Sequence, residues 1–433
     1  MSGRLTDRCV PLDLPDVAVK AYLLRYEDTP FVDVLVRHRN VGTMDEPMGH
    51  AGVCEVVGAL VSEGLVGVPE LGDLDREEFA MVCDRLGVSV GVDMMRNDCR
   101  TSANLVRSWP AGWFLVGRVP GGIRRGPAFL VDRVRHRVLE ALRAIPDAAA
   151  VAADRLWWRT MFAGHPAGRT EDDAIRALEA LSTGDLVDAV SERLDRIVAA
   201  PSVMAVAGDV DVDGVWLRIQ SSFRFPPSGT EEPEIASLPK TFPSGTVTVT
   251  GDWLDTCLVF GWPIDALPWD EDWAAVSLTV AAFGGDPCAS SLGYEIRERR
   301  GLSYGAYAHV RTVRLRPFVI GRCVCSPESV DEVAELIDHV VGDFRRGEVD
   351  ERVVEAARRR LTTMWIDGLT DPSWAASAVV DVVRHDRQPE TIDRFVERLA
   401  TVTVDDVRRT AERLFAREPL YAVARRPPER RSD

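Results

Sequence analysis

Arg297 and Tyr304 stand seven residues apart in the stretch AFGGDPCASSLGYEIRERRGLSYGAYAHV, which runs from Ala282 to Val310. A guanidinium and a phenol are both hydrogen-bond donors, and together they can clamp a carbonyl oxygen as it gains negative charge. The surrounding residues predict their placement. Gly284-Gly285-Asp286-Pro287 reads as a turn, Ser290 or Ser291 as a helix cap, Gly301 as the stop of that helix, and Ser303 to Val310 as a strand. Arg297 then lies near the last helical turn and Tyr304 just past its end, so both converge on a helix-to-strand corner. The plainer alternative is an arginine that offsets the helix dipole or pairs with a nearby acid, beside a tyrosine that packs.

The same stretch contains Gly301-Leu-Ser303-Tyr-Gly305, a match to the G-x-S-x-G elbow of serine hydrolases, with His309, His339 and His385 downstream as bases. That elbow needs a strand entering the serine and a helix leaving it, and the order here is the reverse. A serine hydrolase using Ser303 is a remote alternative. Metal ligation is poorly served by spacing. His50 and Glu55 are five apart, off the i, i+4 register of two ligands on one helix. Asp132 and His136 are four apart but have no evident third ligand, and His38 and His165 read as surface or capping histidines.

Eight cysteines, none in a C-x-x-C pair, point to buried thiols in a reduced compartment; Cys323 and Cys325 share one strand face and are read as packing. Acids outnumber bases 68 to 52, a net charge of −16, which argues against nucleic-acid and anionic-membrane partners. The apolar run Trp273 to Gly285 is too short for the ~18–20 residues of a membrane span and reads as a core helix. The first residues lack an apolar secretory core, so a cytoplasmic protein is expected.

With 433 residues, 46% of them hydrophobic and 28% charged, two or three folded units are expected. Five prolines between Ser221 and Gly245 mark a linker, dividing the chain into domains 1–220 and 246–433 around segment 221–245. A shift of 220 lays ALSTGDLVDAVSERL (Ala180 to Leu194) on ATVTVDDVRRTAERL (Ala400 to Leu414), each a capped amphipathic helix with an aliphatic strand soon after it. Strand-like runs at Val19 to Arg25, Phe31 to Arg37, Thr246 to Thr250 and Phe318 to Val324 alternate with helical patterns at Glu171 to Leu181, Asp331 to Arg345 and Asp350 to Thr363. The fold class is α+β: two similar domains, each a mainly antiparallel sheet covered by helices.

These residues also resemble a known family. Phe283-Gly-Gly, with Ser-Ser-Leu-Gly-Tyr-Glu-Ile-Arg-Glu-Arg-Arg-Gly-Leu-Ser-Tyr after it, is similar to the C-terminal-domain signature of the pitrilysin/insulinase zinc peptidases, relatives of the mitochondrial processing peptidase. The Arg and Tyr of that signature fall on Arg297 and Tyr304. Val41-Gly-Thr-Met-Asp-Glu-Pro-Met-Gly-His-Ala-Gly, Phe162-Ala-Gly-His-Pro-Ala-Gly-Arg and Val206-Ala-Gly-Asp-Val-Asp resemble further family segments, so the likeness covers most of the chain. It implies two domains closing as a clam-shell.

The departure lies in the zinc motif. Family enzymes bind zinc with an inverted H-x-x-E-H helix and a later glutamate. An ungapped register puts Glu55 at the first histidine, Gly58 at the general base and Ala59 at the second histidine, with the later acid near Asp132. No metal site is therefore expected in this chain.

The resemblance implies the non-zinc subunit of a heterodimeric zinc metalloendopeptidase, inactive alone, with zinc in a homologous partner. Arg297 and Tyr304 would contact the substrate carbonyl, and Gly284 and Gly285 would line the path of a short or unfolded peptide. A leader peptide of a bacterial natural product is one plausible target. The alternative is a catalytically silent structural or binding subunit of a larger complex.

Overall fold

A computed structural model describes residues 4–106 and 112–426. The first half supplies strands β1 (Cys9–Leu12), β2 (Val19–Arg25), β3 (Phe31–His38), β4 (Leu65–Val68), β5 (Gly72–Leu74), β6 (Val88–Met94), β7 (Cys99–Val106) and β8 (Ser202–Gly208). The second supplies β9 (Gly245–Thr250), β10 (Thr256–Pro263), β11 (Ser303–Val313), β12 (Arg316–Cys325) and β13 (Leu420–Arg425). They form a six-stranded sheet in the order β1-β2-β8-β3-β7-β6, a five-stranded sheet in the order β11-β12-β10-β13-β9, and a small β4-β5 hairpin.

The two large sheets repeat one plan. The order β2-β8-β3-β7-β6 corresponds to β9-β13-β10-β12-β11, and in each the first pair is parallel while the others are antiparallel. The repeated helical segments fall at equivalent places: helix Thr183–Val198 leads into β8, and helix Val404–Leu414 leads into β13. Each begins on a hydroxyl cap, Ser182 to the amide of Asp185 and Thr403 to the amide of Asp406. The α+β architecture with two similar sheets agrees with the sequence pattern.

The chain divides into two compact units that are not contiguous in sequence. One comprises Met1–Ile145, Glu171–Ser237 and Gly368–Asp393; the other comprises Pro146–Thr170, Leu238–Asp367 and Arg394–Asp433. In the first, helix Pro372–Arg384 lies on β8 and β3, although it comes from the C-terminal half of the sequence. In the second, helix Ala149–Met161 from the N-terminal half lies on β13 and β10. The strands they cover explain why. β8 is buried along all seven residues and β10 along all eight, so each needs apolar cover on both faces. Pro372–Arg384 brings Ala375, Ala376, Val379, Val380, Val382 and Val383, all buried. Ala149–Met161 brings Trp157, whose indole N–H donates to the carbonyl of Leu420 at 3.2 Å.

The apolar run at Trp273 is helix Trp273–Gly284, buried on every side as a core helix. All eight cysteines are free, with Cys54, Cys99, Cys257, Cys323 and Cys325 buried. Among the described residues no helix is long and apolar enough to cross a membrane.

Candidate functional site

The corner that carries Arg297 and Tyr304 is built from local signals. The Ser290 hydroxyl accepts from the amide of Gly293 at 3.2 Å and starts a helical turn at Ser291–Gly293. The sequence predicts one regular helix running to Gly301, but the chain widens into a π-helical turn over Tyr294–Glu298, closed by the amide of Arg299 on the carbonyl of Tyr294 at 2.8 Å. Leu292 and Ile296 are both fully buried at this widened turn, and Arg297 remains partly exposed. Single π turns of this kind recur at functional sites. Gly301 then ends the turn with φ of 66°, and its amide donates to the carbonyl of Arg297 at 3.0 Å.

Arg297 and Tyr304 do come together. The guanidinium carbon lies 5.2 Å from the centroid of the Tyr304 ring, within cation–π range. Arg297 also lies 3.5 Å from a Glu298 carboxylate oxygen, so part of the plainer reading holds for the arginine. It does not hold for the tyrosine: Tyr304 is 92% exposed and presents its ring to solvent. β11, near whose start Tyr304 lies, is an edge strand of its sheet.

The glycines before the corner set how close its parts approach. Gly284 is buried, and a Cβ there would come within 2.6 Å of the Ala308 amide nitrogen in β11. A Cβ on Gly285 would come within 2.7 Å of the Cα of Ala281. Next in the chain, Asp286 accepts from the amides of Cys288 at 2.9 Å and Ala289 at 2.8 Å, and pairs with Arg360 of helix Glu351–Gly368 at 3.3 Å. Burial raises the Asp286 carboxyl, but these two amides and the guanidiniums of Arg360 and Arg297 outweigh it, so the group sits below the usual carboxylate range.

Ser303 is not placed as a nucleophile. A helical turn enters it and a strand leaves it, opposite to the elbow, and its hydroxyl donates to the carbonyl of Val324 at 2.6 Å.

In the first unit the degenerate zinc positions lie on helix Val53–Leu60. Glu55 is half-buried near the buried Glu46, whose carboxylate accepts from the Cys54 amide at 2.6 Å. Burial, with Glu55 beside it, pushes Glu46 up to about 7 against the opposing pull of the Cys54 amide and Arg193. Gly58 offers no side chain, and Ala59 offers only its carbonyl, which accepts from Arg137 at 3.0 Å. One carboxylate with a glycine and an alanine is not a zinc donor set. Asp132 lies 3.5 Å from His136 but is engaged by Arg135 and Thr183. No group of three or more His, Cys, Asp or Glu among the described residues is placed to hold a metal.

The ground beside these positions is held by ions instead. Glu63 has a side chain with no exposure, accepts from Arg137 at 2.8 Å and from Arg133, and both arginines come from helix Ala128–Arg143. Sequence reasoning missed this triad, as it missed Asp286 with Arg360, because about 70 residues separate the partners in each case. His38 is also corrected: it is 5% exposed, not a surface residue, with Nδ1 3.0 Å from the Ser202 hydroxyl. It stands at the end of β3, but that strand is central, so Cys99 of β7 and Ser202 of β8 flank it. His165 does cap, accepting from the Ala167 amide at 3.0 Å.

Residues 199–361, which contain the Arg297 corner, match the family described as "Peptidase M16 inactive domain". A Mycobacterium tuberculosis protein described as an uncharacterized zinc protease is 24% identical over 303 residues, 68% of this chain and 66% of that protein, just under two thirds of its length. The crystal structure of a peptidase M16 inactive domain from Pseudomonas fluorescens superposes with a TM-score of 0.84 at 17% identity, covering 96% of this chain and 98% of that one. A protease from Helicobacter pylori gives 0.79 at 16% identity over 96% and 99%. The pitrilysin/insulinase resemblance is borne out: residues 199–361 match the M16 inactive-domain family, within a chain that has the fold of the M16-like peptidases.

Proposed function

We propose that this chain is the non-zinc subunit of a heterodimeric zinc metalloendopeptidase that cleaves short or unfolded peptides. The observation that carries the reading is the asymmetry between the two units. Helix Val53–Leu60 has no zinc ligand pair, whereas Arg297 and Tyr304 stand together at an exposed corner. A homologous partner supplies the metal and the activated water.

This chain's own part is to hold the scissile carbonyl. Arg297 and Tyr304 donate toward its oxygen, and their interaction strengthens as that oxygen gains charge. The planar Arg297 guanidinium offers its N–H donors in a fixed fork, which suits a carbonyl oxygen held at one place. Of the two glycines only Gly285 is exposed and can border the path of a peptide main chain beside the corner, while buried Gly284 sets how closely β11 approaches.

The test is to prepare the chain alone and mixed with a zinc-motif homologue encoded beside it, then measure metal content and cleavage of unstructured peptides, bacterial leader sequences among them. Cleavage only in the mixture, with zinc only in the partner, is expected. Stoichiometric zinc and activity in this chain alone would overturn the proposal, and a stable complex with no cleavage would favour a silent structural subunit.

A further inference from the structure

The candidate site contains a second charged pair that no feature of the family resemblance assigns. Asp286 ends the glycine turn, and one of its oxygens, Oδ1, is already committed to the amides of Cys288 and Ala289. The other, Oδ2, faces Arg360 at 3.3 Å. Arg360 has a further contact, a hydrogen bond at 3.4 Å to the carbonyl of Ala281 near the end of helix Trp273–Gly284. Asp286 also holds the next four residues of the chain: its carbonyl accepts from the Ser290 hydroxyl, and that same hydroxyl caps the turn leading to Arg297.

Asp286 and Arg360 together therefore tie three parts: Arg360 reaches the end of the core helix, the carboxylate holds Arg360 and the amides of Cys288 and Ala289, and the Asp286 carbonyl holds Ser290 at the start of the helical turn. Gly284 packed against β11 and Gly285 packed against Ala281 leave this junction little room to shift. Arg297 lies within the field of the same carboxylate, and on its other sides are Glu298 and the ring of Tyr304.

We infer that Asp286 and Arg360 are positioning residues for Arg297: the pair locks the glycine turn and holds the guanidinium over the Tyr304 ring. The inference rests on the reading of Arg297 as a substrate donor for its consequence in activity, but its geometry is testable without a partner. A native reporter lies in the site. Cys288 is half-buried; burial raises its thiol pKa, Arg297 lowers it, and Glu298 and Asp286 raise it.

The experiment measures the pH dependence of iodoacetamide labelling at Cys288, with peptide mass spectrometry as the readout, in the full chain and in Arg297→Met, Arg360→Leu and Arg360→Lys variants. Arg297→Met should move the labelling midpoint to higher pH. Arg360→Leu should move it in the same direction even though Arg297 is intact, and Arg360→Lys should restore most of the wild-type profile. A wild-type midpoint in Arg360→Leu, with the midpoint moved in Arg297→Met, would overturn the positioning role; no movement in Arg297→Met would overturn the arrangement on which it depends.

In the mixture with a zinc-bearing partner, Arg360→Leu and Asp286→Asn should each lower kcat about tenfold with little change in KM, and the double variant should be no worse than either single one. Additive losses, or a loss in KM alone, would count against the pair. If the wild-type mixture is inactive, the proposed function fails while the Cys288 measurement still decides the positioning role.

Discussion

Arg137 donates one guanidinium nitrogen to Glu63 at 2.8 Å and another to the carbonyl of Ala59 at 3.0 Å. In the register of the resemblance, Ala59 is where a second zinc histidine would stand. Helix Val53–Leu60 is thus joined to helix Ala128–Arg143 by a hydrogen bond at Ala59 and, just past its end, by an ion pair at Glu63.

Glu63→Gln should therefore lower stability by about 2 kcal/mol, because the inaccessible carboxylate is the shared acceptor of Arg133 and Arg137, and both arginines retain some access to water. Urea denaturation of the two proteins measures this. Added EDTA should leave the melting temperature of the wild-type chain unchanged, and a fall of several degrees would mean that a metal stabilises the fold.

Tyr304→Phe should reduce kcat of the reconstituted mixture by about two orders of magnitude, the scale of losing one oxyanion donor, with assembly intact by size-exclusion chromatography. The phenyl ring can keep its place beneath Arg297, so the loss isolates the hydroxyl. Unchanged turnover would remove Tyr304 from the chemistry.

Two buried groups give opposite pH dependences. Burial pushes His38 down to about 4 from 6.5, so between these values the unfolded chain binds a proton that the folded chain does not, and stability falls as pH drops. Glu46 is pushed up from 4.5 to about 7, so the folded chain holds the extra proton and stability falls as pH rises through that window. Each amounts to about 3 kcal/mol at full effect. Across the shared range from 4.5 to 6.5 they oppose one another. Glu46→Gln should leave a stability that rises with pH there, and His38→Asn one that falls, as read by urea titrations at several pH values. Slopes of the same sign in the two variants would contradict this assignment.

Fragments cut at the proline-rich stretch should not fold alone. Residues 1–245 lack helix Pro372–Arg384, which covers β3 and β8, and residues 246–433 lack helix Ala149–Met161, which covers β10 and β13. Each fragment would expose an apolar sheet face and is expected to show no cooperative melt, while co-expression restores one. A cooperative transition in either fragment alone would show that the borrowed helix is dispensable.

Much of the architecture could be read along the chain because its signals are local. Strand alternation, hydroxyl caps and the glycine stop at Gly301 act within a few residues, and the repeat at a shift of 220 pointed to two similar sheets. The corner of Arg297 and Tyr304 was legible for the same reason, since only seven residues separate them.

The remaining features depend on groups distant in sequence. His38 reads as an ordinary strand-end histidine until β8 brings Ser202 beside it. Glu63 meets Arg137 across 74 positions, and Asp286 meets Arg360 across 74 as well. Helix Pro372–Arg384 lies with the strands of the first half, although its own periodicity says only that it has an apolar face. By itself the sequence determined the elements and the doubled plan, because those depend on residue type and short spacing. Only the tertiary structure decided which faces are covered by which helices and which charges share a partner, because packing alone selects among the many apolar faces and arginines that local pattern leaves equivalent.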